Sequence, residues 1–323
     1  MKATAKAHTN IALVKYWGKK DSRLILPYTD SLSLTLDEFY TTTTVSFDAQ
    51  HTHDTFMIDG QSVNEKNYDK LTHFMDHVRQ LAHISDAANV TSHNHVPISA
   101  GLASSASAYA ALAAAATKAA GLSLSRTDLS RVARRGSGSA TRSIFGGLVE
   151  WHHGTDDQSS FAEPVTEQVD FGLEMIAIML DTRVKKVSSR AGMQNVVETS
   201  PYYPAWIEVV QRDMVAMKRA IRQQDVRQLG EIAELNAMRM HALNLAASPS
   251  FTYFNEDSLK TMTLIHDLRQ QGINCYYTLD AGPNVKVIYD RIDRERLLTA
   301  LKQTFRDDQL VVAKPGPGIE YLP

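Results

Sequence analysis

A single cysteine, Cys275, stands in 323 residues, so no intramolecular disulfide can form and the chain suits a reducing compartment. No uninterrupted apolar run approaches the roughly 18 residues of a membrane span. The start, Met1-Lys2-Ala3-Thr4-Ala5-Lys6, lacks the apolar core of a signal peptide. Charge of one sign is also missing: 34 Lys+Arg against 36 Asp+Glu leave a formal net charge of −2, which removes the electrostatic case for bulk nucleic-acid or membrane binding. A soluble, cytoplasmic protein is expected, with no nucleic-acid or membrane partner and with basic groups that act locally. There is no G-x-x-x-x-G-K-[ST], which excludes a P-loop enzyme, and no H-R-D to support a protein kinase. Internal repeats are absent too.

What the chain does have is the stretch 97–116, P-I-S-A-G-L-A-S-S-A-S-A-Y-A-A-L-A-A-A-A, where small residues run straight into an alanine-rich helix. Gly101 lets the backbone approach a ligand, Ser104, Ser105 and Ser107 supply hydroxyls, and the helix start offers unpaired N–H groups. Such a cradle suits a polyanion such as ATP. A serine-capped helix packed tightly through its alanines accounts for the same residues. A second Gly/Ser loop, 134–142, combines Ser137 and Ser139 with Arg142, which suits a carboxylate or a second phosphate cluster, or else a flexible basic linker. Residues 15–21 form a cationic turn, 185–190 a third cationic, hydroxyl-bearing cluster, and 280–284 a tight loop that carries one acid, Asp280.

Periodicity predicts strands over 4–14, 32–36, 41–47 and 89–92, a hairpin-type turn at 56–60 and a helix over 67–81. Residues 173–180 read as a buried strand ending at Asp181. Beyond it come helices over 204–223, 225–246, 256–271 and 294–305, strands over 275–279, 285–289 and 309–313, and an irregular Pro315-Gly316-Pro317-Gly318 tail. This change from strand-rich to helix-rich places an expected lobe boundary at Asp181, giving 1–181 and 182–323. Neither His93/His95 nor His152/His153 has a Cys or acidic partner at metal spacing, so zinc is not expected. Trp17 and Trp151 read as core or interface residues.

Phosphoryl transfer to an alcohol needs a phosphate cradle, cations for a charged acceptor and a carboxylate near the hydroxyl, and the chain holds all three. Taken together, N-I-A-L-V-K-Y-W-G-K-K-D (10–21), A-G-L-A-S-S-A-S (100–107), G-S-G-S-A-T-R-S (136–143), K-K-V-S-S-R-A-G-M (185–193) and D-A-G-P-N (280–284) resemble the mevalonate diphosphate decarboxylases along nearly the whole chain. These belong to the galactokinase, homoserine kinase, mevalonate kinase and phosphomevalonate kinase superfamily. The glycine-serine loop alone would mark only the superfamily; K-Y-W-G-K with G-S-G-S-A-x-R-S and D-A-G-P-N marks the decarboxylases.

The resemblance implies an α+β, two-lobed fold: a strand-rich N-terminal lobe with a left-handed βαβ unit, a helix-rich ferredoxin-like C-terminal lobe, and a cleft between them. It implies ATP-dependent decarboxylation of mevalonate 5-diphosphate to isopentenyl diphosphate in isoprenoid biosynthesis, with ATP and Mg²⁺, by a homodimer. Asp280 would orient or deprotonate the tertiary alcohol, Arg142 would pin the carboxylate, and Lys15 would stabilise the moving phosphate. Tyr16, Lys19, Ser137, Ser139, Ser189 and Arg190 match positions that hold the diphosphate or neighbouring groups. Gly101, Ser104, Ser105 and Ser107 match the nucleotide-phosphate side, with Ser105 toward Mg²⁺ and Ser92 and Asn94 near the nucleoside. Ile98, Ser99 and Asp30 depart from the usual family residues. Two rivals are a mevalonate or mevalonate-phosphate kinase without decarboxylation, against which the retention of both Lys15 and Asp280 argues, and a nucleotide-binding sensor, against which the intact loop and acid argue.

Overall fold

The computed structural model describes residues 1–95, 104–181, 183 and 186–323. The first half contains β1 (Lys2–Val14), short β2 (Lys19–Asp21) and β3 (Leu26–Pro27), β4 (Ser31–Asp48), β5 (Thr55–Ile58), β6 (Gln61–Ser62), α1 (Glu65–Ala82), β7 (Ala87–His95), α2 (Ser104–Ala119) and α3 (Arg126–Gly136). A 3-10 segment, Gly138–Ile144, leads to β8 (Leu148–Trp151) and β9 (Ala162–Thr166). The second half holds β10 (Leu173–Ile178), α4 (Ser189–Thr199), α5 (Tyr203–Arg222), α6 (Val226–Leu245), α7 (Glu256–Gln270), β11 (Cys275–Leu279), β12 (Val285–Asp290), α8 (Arg294–Leu301), β13 (Leu310–Ala313) and β14 (Glu320–Leu322). The expected α+β architecture is present.

Eight strands form the first sheet, in the order β14-β1-β4-β7-β5-β6 with β8 and β9 branching from β4. Its β5·β7 pair is parallel and is connected through α1, as a parallel pair requires a crossover. The two strands expected over 32–36 and 41–47 are one long β4: its register against β1 jumps from His8↔Tyr40 to Asn10↔Thr35, so the intervening residues bulge without ending the strand. The second sheet, β11-β12-β10-β13, is antiparallel throughout. Since β10 pairs in this second sheet, sheet membership changes between Thr166 and Leu173, ahead of the expected boundary at Asp181. All six residues of β10 are buried, and a strand without a polar face carries no mark of the sheet it joins.

One apolar core joins the halves. Leu13, Leu32 and Leu34 of the first sheet pack with Met214 and Leu229 of α5 and α6 and Ile288 of β12, all at most 3 % exposed. A shared apolar core of this kind holds two lobes in one arrangement. The alanines of α2, among them Ala110, Ala111 and Ala113–Ala116, are fully buried against β1 and β4, as the reading of a closely packed helix expects. Among the described residues no helix is long and apolar enough to cross a membrane.

The Pro-Gly tail is a strap rather than a loose end. Gly316 donates its N–H to the Thr35 carbonyl (2.8 Å) and accepts from Gly147 (3.0 Å), Ile319 donates to Ile144 (3.2 Å), and β14 then pairs with β1. A Cβ on Gly316 would lie 2.4 Å from the backbone carbon of Leu36, an atom that cannot swing away. Gly316→Ala is therefore expected to destabilise the protein by about 2 kcal/mol through overpacking, read as a lower urea midpoint at unchanged m-value; an unchanged midpoint would refute the close approach.

Candidate active site

Antiparallel pairing of β1 with β4 ends at Val14, and the next residues leave the sheet to wall a cavity of about 430 Å³. The first half supplies its Asn10–Lys19 side, Lys70, Ser105 and the Gly136–Arg142 region; the second supplies Ser189, Arg190, Met193, Met240, Asp280 and Ala281. Among the described residues, five cationic side chains, Lys15, Lys19, Lys70, Arg142 and Arg190, face this space with a single carboxylate, Asp280.

Asp280 is the first residue beyond β11. Its Oδ1 accepts from Lys15 Nζ at 2.8 Å, and Lys286 Nζ lies 3.4 Å from Oδ2. Lys15 also donates to the Ala12 carbonyl (2.7 Å) and Lys286 to that of Asn284 (3.2 Å). Lys15 is 1 % and Lys286 0 % exposed, whereas Asp280 keeps 20 % of its side chain open. Burial alone would raise the Asp280 pKa; the charges of Lys15 and then Lys286, with their hydrogen bonds, outweigh it and lower the value to about 2. Burial lowers both lysines, and Asp280 partly restores them. Because the folded pKa of Asp280 lies below its ordinary value, the pairing contributes its full stability above about pH 4 and loses it as pH falls through about 2.

Lys286 was missed from sequence. The available signal was a lysine at the second position of an otherwise apolar V-K-V-I-Y strand, where burial demands a partner.

Arg142 sits in the 3-10 segment at 2 % exposure. Its three nitrogens donate to neutral groups: Nε to Ser33 (2.9 Å), Nη1 to Ser31 (2.6 Å) and Nη2 to Asn10 Oδ1 (3.2 Å). No protein carboxylate is in ion-pair contact with it among the described residues, and burial lowers its pKa to about 10. Such a guanidinium is oriented by its hydroxyl shell while its charge remains available to an anion. The expected flexible alternative for this segment is overturned. Gly138 packs so closely that a Cβ would lie 2.7 Å from the Trp151 ring and 2.9 Å from Tyr16, and Gly138, Ala140 and Thr141 are buried.

Tyr16 packs edge-on against Trp151, centroids 4.8 Å apart, and its buried hydroxyl has no hydrogen-bond partner among the described residues. Burial raises its pKa, so the phenol remains a donor. Lys19 is lowered to about 8, by burial first and then by Arg190 and Lys70; Lys70, a second residue missed from sequence, is lowered by burial and then Arg190. Ser137 Oγ reaches Ser105 Oγ (3.3 Å) and Ser139 Oγ (3.2 Å), forming a hydroxyl row on the wall. Ser189 opens α4 beside Arg190.

Other expected residues are elsewhere. Ser92 Oγ pairs with Thr43 (2.7 Å), Asn94 is held by Asp59 (3.0 Å) and Thr41 (3.0 Å), and Ser107 bonds Thr9 (3.2 Å) and Thr41 (2.9 Å); none of the three lines the cavity. Gly101, Ile98, Ser99 and Lys185 lie outside the described residues, as does the Ser104 side chain. Trp17 and Trp151 are core, at 4 % and 0 % exposure. The chain carries one kinase-like tripeptide, Asp170-Phe171-Gly172, which precedes β10 and does not line the cavity.

The histidine expectation needs correcting: ligand atoms of Asp30, Glu150 and His152 lie within 4.8 Å of one another. Their proximity comes from Ser31↔Trp151 strand pairing, which sequence spacing cannot reveal. These groups already have internal partners, Lys218 on Glu150 (3.1 Å), His153 on Asp30 (2.5 Å) and Glu163 on His152 (2.8 Å). At the cavity, the hydroxyls of Ser105, Ser137 and Ser139 and the Asp280 carboxylate are hard oxygen donors of the kind that suits Mg²⁺.

Two lobes that share one core and enclose a cationic cleft are what the resemblance to the galactokinase, homoserine kinase, mevalonate kinase and phosphomevalonate kinase class of fold implies. Comparison narrows this. Residues 7–162 match the family model for the diphosphomevalonate decarboxylase-like N-terminal domain, and 175–315 that for the mevalonate 5-diphosphate decarboxylase C-terminal domain. The chain belongs to the diphosphomevalonate decarboxylase family. It is 34 % identical over 320 residues to the diphosphomevalonate decarboxylase of Candida albicans, covering 94 % of this chain and 88 % of that one. A solved structure of the mevalonate diphosphate decarboxylase from Enterococcus faecalis is 49 % identical, with TM-score 0.95 and coverage of 100 % and 99 %. Another, MDDEF in complex with MVAPP, AMPPCP and magnesium, is 50 % identical, with TM-score 0.96 and the same coverage.

The electrostatics of Asp280 can be tested directly. Lys286→Met is expected to move the Asp280 titration upward from about 2 toward the ordinary Asp value, followed by the carboxyl ¹³C shift against pH; an unmoved midpoint would show that Lys15 alone sets it.

Proposed function

We propose that Asp280, Lys15 and Arg142 carry the ATP-dependent decarboxylation of mevalonate 5-diphosphate to isopentenyl diphosphate, with ADP, phosphate and CO₂ as co-products. The observation that supports these roles is that, among the described residues, one carboxylate faces a cavity into which five cationic side chains also turn. Both substrates are polyanions, so the cations favour their binding, and the sole acid marks where an uncharged hydroxyl can be accepted.

Asp280 acts chiefly as an orienting charge. A carboxylate held at about 2 is a weak base, far from the pKa near working pH that suits a proton acceptor. It stays ionised at neutral pH, accepts a hydrogen bond from the tertiary alcohol and aims the oxygen at the transferable phosphoryl group; as the new O–P bond forms and the bond to the ADP oxygen breaks, the hydroxyl becomes strongly acidic and passes its proton to Asp280 and from there to solvent. Lys15, beside it, balances charge on the phosphoryl group as it arrives at and later leaves that oxygen. Departure of the phosphate leaves positive charge on the tertiary carbon, and breaking the bond to the carboxylate supplies the electron pair that forms the alkene and releases CO₂. Arg142 holds that carboxylate beforehand by a bidentate pair. Lys19, Arg190, Tyr16, Ser137, Ser139 and Ser189 take the diphosphate side. Gly101, Ser104 and Ser105 take the nucleotide phosphates, and Mg²⁺ beside Ser105 would neutralise charge on them when bound. Ser92, Asn94 and Ser107 then act by supporting the sheet and helix behind that cradle.

A cytoplasmic location and a homodimer complete the reading. The lone buried Cys275 supports the first, and the second rests on family resemblance.

Purified protein given ATP, Mg²⁺ and mevalonate 5-diphosphate is expected to release ADP and CO₂ in equal amounts; ADP without CO₂ would identify a kinase instead. Asp280→Asn is expected to lower kcat by at least about 10³-fold with KM for both substrates within a few-fold; a near-normal kcat would remove Asp280 from the chemistry.

A further inference from the structure

Residues 15–18 carry the site yet belong to no strand, so their backbone groups need partners from elsewhere. Helices α5 and α6 supply them. Asn236 Oδ1 accepts the Lys15 backbone N–H at 2.8 Å, Asn244 Oδ1 accepts Trp17 Nε1 at 3.0 Å, and the Tyr203 hydroxyl donates to the Trp17 carbonyl at 3.0 Å. Of these, the Asn236 contact reaches the lysine that grips Asp280.

Asn236 is fully buried, and an amide can present either its oxygen or its nitrogen to a neighbour. Its orientation here is dictated from the far side. Asn236 Nδ2 donates to Asp213 Oδ2 at 2.8 Å, and a carboxylate can only accept, so the amide oxygen must face Lys15. Arg239 Nη1 in turn holds Asp213 Oδ1 at 3.0 Å. The chain Arg239–Asp213–Asn236 thus ends on the Lys15 main chain, and flipping the amide would set donor against donor at Lys15 and acceptor against acceptor at Asp213.

We propose that Asn236, aligned by Asp213, is a positioning residue for the reaction, fixing the Lys15 backbone so that Nζ stays on Asp280. This rests on the role given to Lys15 above. Lys15 Nζ has two partners at 2.7 and 2.8 Å, Ala12 O and Asp280, and displacement of its backbone by about 1 Å would spoil both; misplacement on that scale costs about 10²-fold in rate.

The test compares Asn236→Leu, Asn236→Asp, Asp213→Asn, the double variant Asn236→Asp/Asp213→Asn, and Lys15→Met, each with kcat normalised to the folded fraction by near-UV circular dichroism. Asn236→Leu and Asp213→Asn are expected to lower normalised kcat by about 100-fold and about 10-fold, with KM for ATP within about threefold. Both should move the acidic limb of the pH–kcat profile upward, because a carboxyl losing its ammonium partner titrates higher. In the double variant the introduced carboxylate accepts from Lys15 and from the new amide, whose oxygen accepts from Arg239. Normalised kcat should recover at least about tenfold relative to Asn236→Asp alone, a coupling that a purely structural role would not produce. Normalised kcat within twofold of wild type in both single variants, with the acidic limb unmoved, overturns the proposal while a crippled Lys15→Met leaves the site assignment standing. Wild-type kcat in Lys15→Met overturns both.

Discussion

The site depends on one carboxylate gripped between two buried ammonium groups. Lys15 and Lys286 are almost inaccessible to water, and a buried charge is tolerated only with a partner at close range. Asp280 serves both, at 2.8 and 3.4 Å. Removing Asp280 leaves two uncompensated ammonium groups in a low-dielectric place, and breaking a buried pair in this way typically costs about 3–5 kcal/mol, whereas removing either lysine leaves a balanced pair. The cluster is also a joint. Lys15 follows the last paired residue of the first sheet, while Asp280 and Lys286 flank and occupy strands of the second, so the two lobes meet at the cavity through an ion cluster backed by an apolar core.

Around this joint the cavity is deliberately unbalanced. Arg142 is solvated by serines and an asparagine in place of a counter-ion, and burial and mutual repulsion depress Lys19 and Lys70. Water and neutral hydroxyls are weak substitutes for an anion beside such groups, so polyanionic ligands relieve an electrostatic burden that the free protein carries. The same imbalance gives direction to a ligand. Its phosphates and carboxylate are drawn to the cationic walls, and the position beside Asp280 favours a group that donates a hydrogen bond.

Much of this was legible in the residues, for identifiable reasons. Motifs such as K-Y-W-G-K and D-A-G-P-N are local, and the side chains they bring to the cavity lie within a few positions of one another. Helix extents followed from apolar spacing because α5, α6 and α7 each have one buried face. What stayed hidden depends on contacts between distant segments. Lys286 looks like any strand lysine until β12 is seen to bury it beside Asp280; Lys70 is one more polar residue of α1 until that helix borders the cleft. Asp30 and Glu150 come together only through strand pairing. The Pro-Gly tail reads as disorderly because its order lies in hydrogen bonds to Thr35, Gly147 and Ile144. Sequence likewise names Ser92, Asn94 and Ser107 without showing that neighbouring threonines and Asp59 already engage them.

The alanine helix that first suggests a phosphate site has a second physical role. Its small side chains let α2 lie close on β1 and β4, which brings its first turn to the wall where Ser105 meets Ser137. That same closeness leaves α2 little freedom to shift, since its buried face is mostly alanine, with Tyr109 and Leu112 as its large side chains. Nucleotide phosphates would thus be received by a rigid edge, and the acceptor alcohol by a carboxylate locked between two lysines. A weakly basic Asp280 suits such a frame: where both reacting partners are already aligned, the residue at their junction needs to keep its charge and direction more than it needs to seize a proton.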